Sequence, residues 1–410
     1  MYNLQLTPEQ LEIRDTVREF VARKIKPAAL KPARLEAAEQ PLLVDLIDEA
    51  SQLGLRALAL SEAAGGAGAD NLTCCMVSEE LAAGDLDIAA VLGETWVLAH
   101  VLFDRLMTPE QRERLLPQFL ADERYHIALA REEPGRDRSL GIHYHRPDQN
   151  EPGFATTAVR AGDGWIINGL KHDVVNASCA RLFVVEVATA VGGTSALLVP
   201  RDTPGLTVHE RGSHTRRRHG ACGEIIFKDC RVPAENLLGP EGQSKLGPEI
   251  EHHIPQRLAL QLGIGRAAYE AALDYAQMRV QGGRRIIEHQ AIGAKLADAA
   301  TRLAAARSVI WQAAWASDHP EAFADRSLPD LPLVSVAKLF ASEGIYRATK
   351  DAAECFGAMG VMRDMPLQKY VQDALICLHS GESSSDTRLR IAEAIAGHRR
   401  APASAALAAE

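Results

Sequence analysis

Residues 378–386 read LHSGESSSD: one histidine, two carboxylates, one glycine and four serines between two stretches of helical pattern. Of these carboxylates Glu382, beside the glycine, is the candidate proton acceptor. A serine hydroxyl such as Ser380 has no useful basicity near neutral pH unless a neighbour activates it. His379 is a further titratable group, and the plain alternative for the whole stretch is a solvated turn. Other candidates are scattered. His143 and His145 alternate within IHYHRP, but two histidines fall short of a metal-ligand set, so an exposed strand or loop is the better reading. Arg136 and Arg138 suit a phosphate or an acidic acyl group, or an ordinary surface. The seven cysteines contain no CxxC pair, and adjacent Cys74-Cys75 reads as buried thiols of a reduced, cytoplasmic protein without structural metal.

The totals bound the answer. A chain of 410 residues can form two or three domains, each with its own core. Its net charge of −9 speaks against nucleic acid or an anionic membrane surface as partner. No apolar run is expected to reach the ~20 residues needed to span a bilayer, and MYNLQLTPEQ lacks the regions of a secretory signal.

The elements that must position these groups follow from periodicity. Thr7-Pro8-Glu9-Gln10 and Thr108-Pro109-Glu110-Gln111 each combine a capping box with proline at the first helical position. Amphipathic stretches around 41–53 and 73–84 complete a helical domain over 1–124. Short alternating or β-branched runs such as FATTAVR, LFVVEVAT and EIIFKDCRVP then predict an antiparallel β domain over 125–244. In it Asn168-Gly169 reads as a hairpin turn between two strands. Helical patterning returns at 255–278, 285–317, 333–355, 366–379 and 384–397, giving a bundle over 245–398 and a frayed tail over 399–410.

Several motifs then line up with one family. WIINGLK at 165–171, Glu133-Pro134-Gly135, FKDCRVPAENLLGPEG at 227–242, the helix PQRLALQLGIGRAAYEAALDYAQMR at 255–279, AKLFASEG at 337–344, Gly357-x-x-Gly360 and MRDMPLQKYVQDA at 362–374 together resemble the acyl-CoA dehydrogenases in the order that family shows. The resemblance implies an α+β architecture: an N-terminal helical domain, a central antiparallel β-barrel-like domain and a C-terminal four-helix bundle. It also implies FAD at the interfaces of a homodimer or homotetramer, an acyl-CoA thioester as substrate, and electron-transfer flavoprotein as acceptor. In the family a glutamate takes the Cα proton while a hydride leaves Cβ for the flavin.

Carried over residue by residue, that chemistry meets changes. The register from Asp373-Ala374 and Gly381 puts Ser380 in the place of the glutamate base, and the alternative base position, before Arg257, is Gln256. Glu382, two residues on, is the nearest substitute. The positions that hold a subunit's own flavin become Glu132, Asp173, Val175 and Glu382. Those that reach a neighbour's FAD keep Arg279, Gln290, Gly357 and Gly360, whereas Gly282 and Glu354 replace a phenylalanine and a glutamine. His253, Arg257 and Arg138 are the substrate-side candidates. The acyl pocket is expected between segments 81–103 and 251–262, whose mixture of Leu, Ala, His and Glu carries no size signal.

Four readings remain open at this level: dehydrogenation with a relocated base, a non-catalytic subunit of a mixed tetramer with a base-bearing homologue, base-free elimination or desulfination on a CoA thioester, and a ligand-binding protein that has lost FAD.

Overall fold

The computed structural model describes residues 5–36, 41–135, 153–210, 221–324 and 331–397. Arg136, Arg138, His143, His145 and the 399–410 tail lie outside them. The first element, α1 (Pro8–Phe20), starts as its sequence requires: Thr7 Oγ1 accepts from Gln10 N–H at 3.2 Å while the Gln10 side chain accepts from Thr7 N–H at 3.0 Å. After α2 (Val44–Gln52), helices α3 (Asn71–Gly84) and α4 (Leu86–Ala99) run through the core. Every residue of α3 is buried, so it is not the amphipathic surface helix its sequence suggested. Gly263 of the bundle explains the tight contact: a Cβ there would lie 2.3 Å from the Glu79 carbonyl oxygen. The run Leu86–Leu106 is, against expectation, long and apolar enough to cross a membrane, but its most apolar 18-residue window is 83% buried within this fold, the pattern of a core helix. Helix α5 (Pro109–Ala121) repeats the capping box at Thr108 and Gln111.

The middle region is one sheet of eight strands: β1 (His126–Ala130), β2 (Thr157–Ala161), β3 (Gly164–Val174), β4 (Ala180–Ala188), β5 (Thr194–Pro200), β6 (Leu206–Glu210), β7 (Gly223–Pro233) and β8 (Leu237–Leu238). Their order is β6-β7-β3-β2-β4-β5-β8, with β1 also on β4. The expected all-antiparallel, barrel-like sheet is corrected in two respects. Strands β1 and β2 run parallel to β4, which the long excursion between β1 and β4 permits. Among the described residues the sheet does not close, because its β8 edge meets the helical domain instead: the Gln111 amide donates to the carbonyls of Glu235 and Leu237 at 2.7 and 2.9 Å. Asn168-Gly169 is not a turn either. Strand β3 runs straight through it as a bulge opposite β7, with Asn168 Oδ1 accepting from Asp229 N–H at 2.8 Å. Gly169, at φ 149°, leaves no room for a side chain, since a Cβ would meet Thr156 at 2.6 Å. The β2–β3 hairpin turns at Gly162 and Asp163 instead.

The bundle comprises α6 (Ile254–Met278), α7 (Gln290–Asp318), α8 (Leu333–Cys355), α9 (Pro366–His379) and α10 (Ser384–Ile395). Helix α7 begins later than expected because Val280–Gln281 and Arg284–Arg285 pair as a small hairpin. Buried carboxylates lock the bundle to the first domain. Glu80 accepts from Arg18 of α1 and Arg266 of α6 at 2.6 and 2.7 Å, and Glu79 accepts from Arg307 of α7 at 2.6 Å.

Candidate functional site

The serine-rich connection joins α9 to α10, and most of its polar groups serve that junction. Ser383 is the N-cap of α10, accepting from Asp386 N–H at 3.1 Å. Ser380 is exposed and its Oγ donates to the Ile376 carbonyl at 2.9 Å, a helix-end contact with no activating base. Glu382 is half-buried, ion-paired with Arg390 and accepting from Thr387 Oγ1 at 3.3 Å. His379 is exposed.

Facing this loop is a lysine that sequence reasoning missed. Lys338 of α8 is half-buried, and its Nζ lies 3.8 Å from where a Cβ on Gly381 would sit. Burial pulls its pKa down to about 8; Glu382 opposes that shift, while Arg257 and Arg390 add to it. Arg257 is half-exposed and donates at 2.8 Å to Glu94, a carboxylate of α4 that is only 7% exposed.

Gln256, expected from the resemblance at the alternative base position, is buried and fully engaged. Its Oε1 accepts from Trp96 Nε1 at 2.7 Å and its Nε2 donates to Asn71 Oδ1 at 2.6 Å. His253 Nδ1 is 3.0 Å from the same Asn71 oxygen, and Asn71 in turn donates to Asp318 at 2.6 and 2.9 Å. Burial first, then the charges of His100, His252 and Arg257, push the His253 pKa down to about 3, so the ring is neutral. Gln256, Arg257 and His253 are thus brought together at the N-terminal end of α6, while Arg138 lies outside the described residues.

On the sheet, Glu132 and Asp173 meet at one edge: His172 N–H donates to the Glu132 carbonyl at 3.0 Å, and His172 Nδ1 is 2.7 Å from Asp173 Oδ2. Both acidic side chains are exposed, Asp173 at φ 50°, and Val175 is half-buried in the turn that follows. Beneath them Glu133 and Lys171 form a buried ion pair at 2.9 Å. Glu133 also accepts from the N–H groups of Ala155 and Thr156 at 2.6 and 2.8 Å, and Lys171 Nζ sits 4.0 Å from the centroid of the Phe154 ring. Burial opposes ionisation of Glu133, but the hydrogen bonds from Lys171 and those two amides hold it at about 2. Burial brings Lys171 to about 8 against the pull of Glu133. The bonds prevail, and the pair is charged at neutral pH.

The remaining positions gather elsewhere. Arg279 ends α6, Gln290 opens α7, and Glu354, Gly357 and Gly360 lie at the end of α8, drawn together where Phe356 stacks on Tyr275 with centroids 4.2 Å apart. Arg279 and Gln290 are exposed, whereas Glu354 is ion-paired to Lys295. This cluster and the 256–257 region sit at opposite ends of a 25-residue helix, about 37 Å long. A single chain cannot bring both sets to one ligand.

A helical layer, a central sheet and a C-terminal helical bundle locked to the first domain define an acyl-CoA dehydrogenase architecture. The family models agree: the acyl-CoA dehydrogenase N-terminal domain matches residues 7–123, the middle domain 149–230 and the C-terminal domain 254–395. A probable acyl-CoA dehydrogenase of Bacillus subtilis, YngJ, is 31% identical over 393 residues, covering 94% of this chain and 97% of that protein. The mitochondrial short-chain specific acyl-CoA dehydrogenase of Rattus norvegicus is 30% identical over 97% of this chain and 91% of its own length. The butyryl-CoA dehydrogenase structure from Megasphaera elsdenii superposes with a TM-score of 0.81 at 26% identity, covering 96% of this chain and all of the other. The chain belongs to the acyl-CoA dehydrogenase family.

Proposed function

We propose that this protein is an FAD-dependent oxidoreductase that dehydrogenates the acyl group of a CoA thioester between Cα and Cβ, with a rearranged proton-accepting site. The observation that carries the reading is that Lys338 of α8 lies beside the 380–382 loop and within the electrostatic reach of Arg257 of α6, which pairs with Glu94 of α4, in a chain that matches all three family domains. When bound, FAD supplies the hydride-accepting chemistry. The side chains suit it unevenly. Exposed Arg279 and Gln290 are available to the diphosphate-bearing half of a neighbour's cofactor. At the other half the exposed side chains of Glu132 and Asp173 are acidic, leaving backbone groups of that edge to meet a ring system. Glu382 is the carboxylate nearest the usual base position, and it must leave Arg390 to accept a proton. The positions at the two ends of α6 support assembly from at least two subunits, with electron-transfer flavoprotein as the acceptor and the cytoplasm as the compartment.

A second reading is a partner subunit in a mixed tetramer whose base-bearing homologue completes the site. It is favoured by the exposed, helix-bound Ser380 and by the occupied carboxylates of Glu382 and Glu94. The visible spectrum decides. A yellow protein bleached by an acyl-CoA supports the first reading; one that becomes yellow and active only when co-expressed with a homologue supports the second. Protein that is colourless in both settings sinks both, and flavin unaffected by saturated acyl-CoAs points to base-free chemistry.

A further inference from the structure

Helices α4 and α6 are joined by a ladder of side-chain contacts. Glu94 pairs with Arg257 at 2.8 Å, Trp96 donates to Gln256 at 2.7 Å, and the rings of His100 and His253 meet edge to face with centroids 5.4 Å apart. The numbers rise along α4 as they fall along α6, so these are successive rungs between antiparallel helices. The first rung is the one beside the 380–382 loop, because Lys338 feels the charge of both Arg257 and Glu382. The second is the firm one. The Trp96 indole is fully buried, and Gln256 is held from behind by Asn71 at 2.6 Å. We infer that the acyl slot of this chain ends at the Trp96–Gln256 bridge, so that it accepts short acyl groups and excludes long ones.

This rests on the acyl-CoA reading above, which places the acyl group between these helices. The Glu94–Arg257 rung can swing aside, since Arg257 is 52% exposed and its guanidinium can be rehydrated. The second rung cannot open so easily. A chain passing it must displace a buried indole, break its hydrogen bond and leave Gln256 with an unpaired carbonyl in a dry interior. The bridge therefore acts as a floor, and Trp96 and Gln256 as specificity-determining residues.

The test is calorimetric titration of the flavin-bound, assembled protein with CoA, butyryl-CoA, octanoyl-CoA and palmitoyl-CoA. Butyryl-CoA is expected to bind more tightly than CoA, and the two longer esters about tenfold or more weaker than butyryl-CoA. In Trp96→Gly the octanoyl affinity should rise by about tenfold while that of butyryl-CoA stays nearly constant. If that variant does not fold, Gln256→Ala, which removes the tie and keeps the ring, should show the same direction. Equal affinity of the wild type for all three esters would overturn the floor and leave the acyl-CoA reading standing. Esters that bind no better than CoA itself would overturn the acyl-CoA reading.

Discussion

Ser380 spends its hydroxyl on the last turn of α9 and stays exposed, so its replacement is structurally cheap. Ser380→Glu should change stability by no more than about 0.5 kcal/mol. It should also raise acyl-CoA-dependent flavin bleaching by about tenfold or more, if the position is the one from which a proton is taken. An unaltered bleaching rate in a folded, flavin-bound variant would remove the position from the mechanism. Glu382→Gln separates the alternatives further: loss of turnover with the fold intact assigns the proton to Glu382, and unchanged turnover excludes it. Lys338 makes a prediction about stability. Its pKa falls from an ordinary value near 10.5 to about 8 on folding, so between those values the unfolded chain binds more protons and stability rises with pH. Below pH 8 the cost of burying the charge is fully present. Lys338→Met should therefore stabilise the protein at pH 7 by about 1–2 kcal/mol, after allowance for partial exposure. It should also flatten the rise between pH 8 and 10.5 in urea-unfolding midpoints; a lower midpoint at pH 7 would contradict the assignment.

At the scale of elements, Glu133 and Lys171 join the end of β1, the start of β2 and the middle of β3 at one buried point. Lys171→Met strands a buried carboxylate that still accepts two backbone N–H bonds, and should cost about 3–5 kcal/mol. Adding Glu133→Gln should restore much of that loss, because the buried charge is removed with its partner. A double variant no more stable than the single one would mean that the ion pair is not the main determinant of this junction. The legibility of the elements was uneven for physical reasons. Helices α1 and α5 were readable from four residues each, since a capping box and proline are local signals. Helix α3 and the Leu86–Leu106 run were misjudged because burial on all sides erases amphipathic periodicity. The Asn168-Gly169 bulge imitates a turn in composition and is decided by its cross-strand partner Asp229, 61 residues away. At the site, the expectation that Ser380 and Gln256 stand where the family has a carboxylate was readable from the resemblance. Their surroundings were not: Glu94, Trp96 and Asn71 reach Arg257 and Gln256 across 163, 160 and 185 residues, and nothing local announces such contacts. One hint did exist, a lone glutamate inside the otherwise apolar stretch AAVLGETWVLAH.

For the whole molecule, the decisive feature is that polar groups buried between regions hold the first helices to the sheet and to the bundle. Asn71 ties α3 to α7 through Asp318 and to α6 through Gln256 and His253. Asn176 beyond β3 donates to Val91 and Thr95 of α4, and His126 of β1 lies 3.1 Å from that threonine. These junctions contain two neutral histidines. Burial first, then nearby Arg56, lowers the His126 pKa to about 4, and His253 lies at about 3. A histidine whose folded pKa is depressed contributes fully above its unfolded value near 6.5, and its contribution is lost as pH falls below that value, because the unfolded chain takes up the proton. Glu133, held at about 2, acts in the same direction once pH drops below the ordinary carboxylate range. The sheet junction and the bundle junction should therefore weaken together between pH 6.5 and 4, by about 2–3 kcal/mol for each histidine. Urea-unfolding midpoints measured from pH 7.5 to 4.5 should fall steadily below pH 6.5. Replacing His126 by Asn should reduce that slope, whatever it does to stability at pH 7.5. A midpoint that holds level down to pH 4.5 would show that neither ring is kept neutral by the fold, and the tie between the first helices and their neighbours would have to come from contacts that do not titrate in this range, such as that of Asn71 with Gln256.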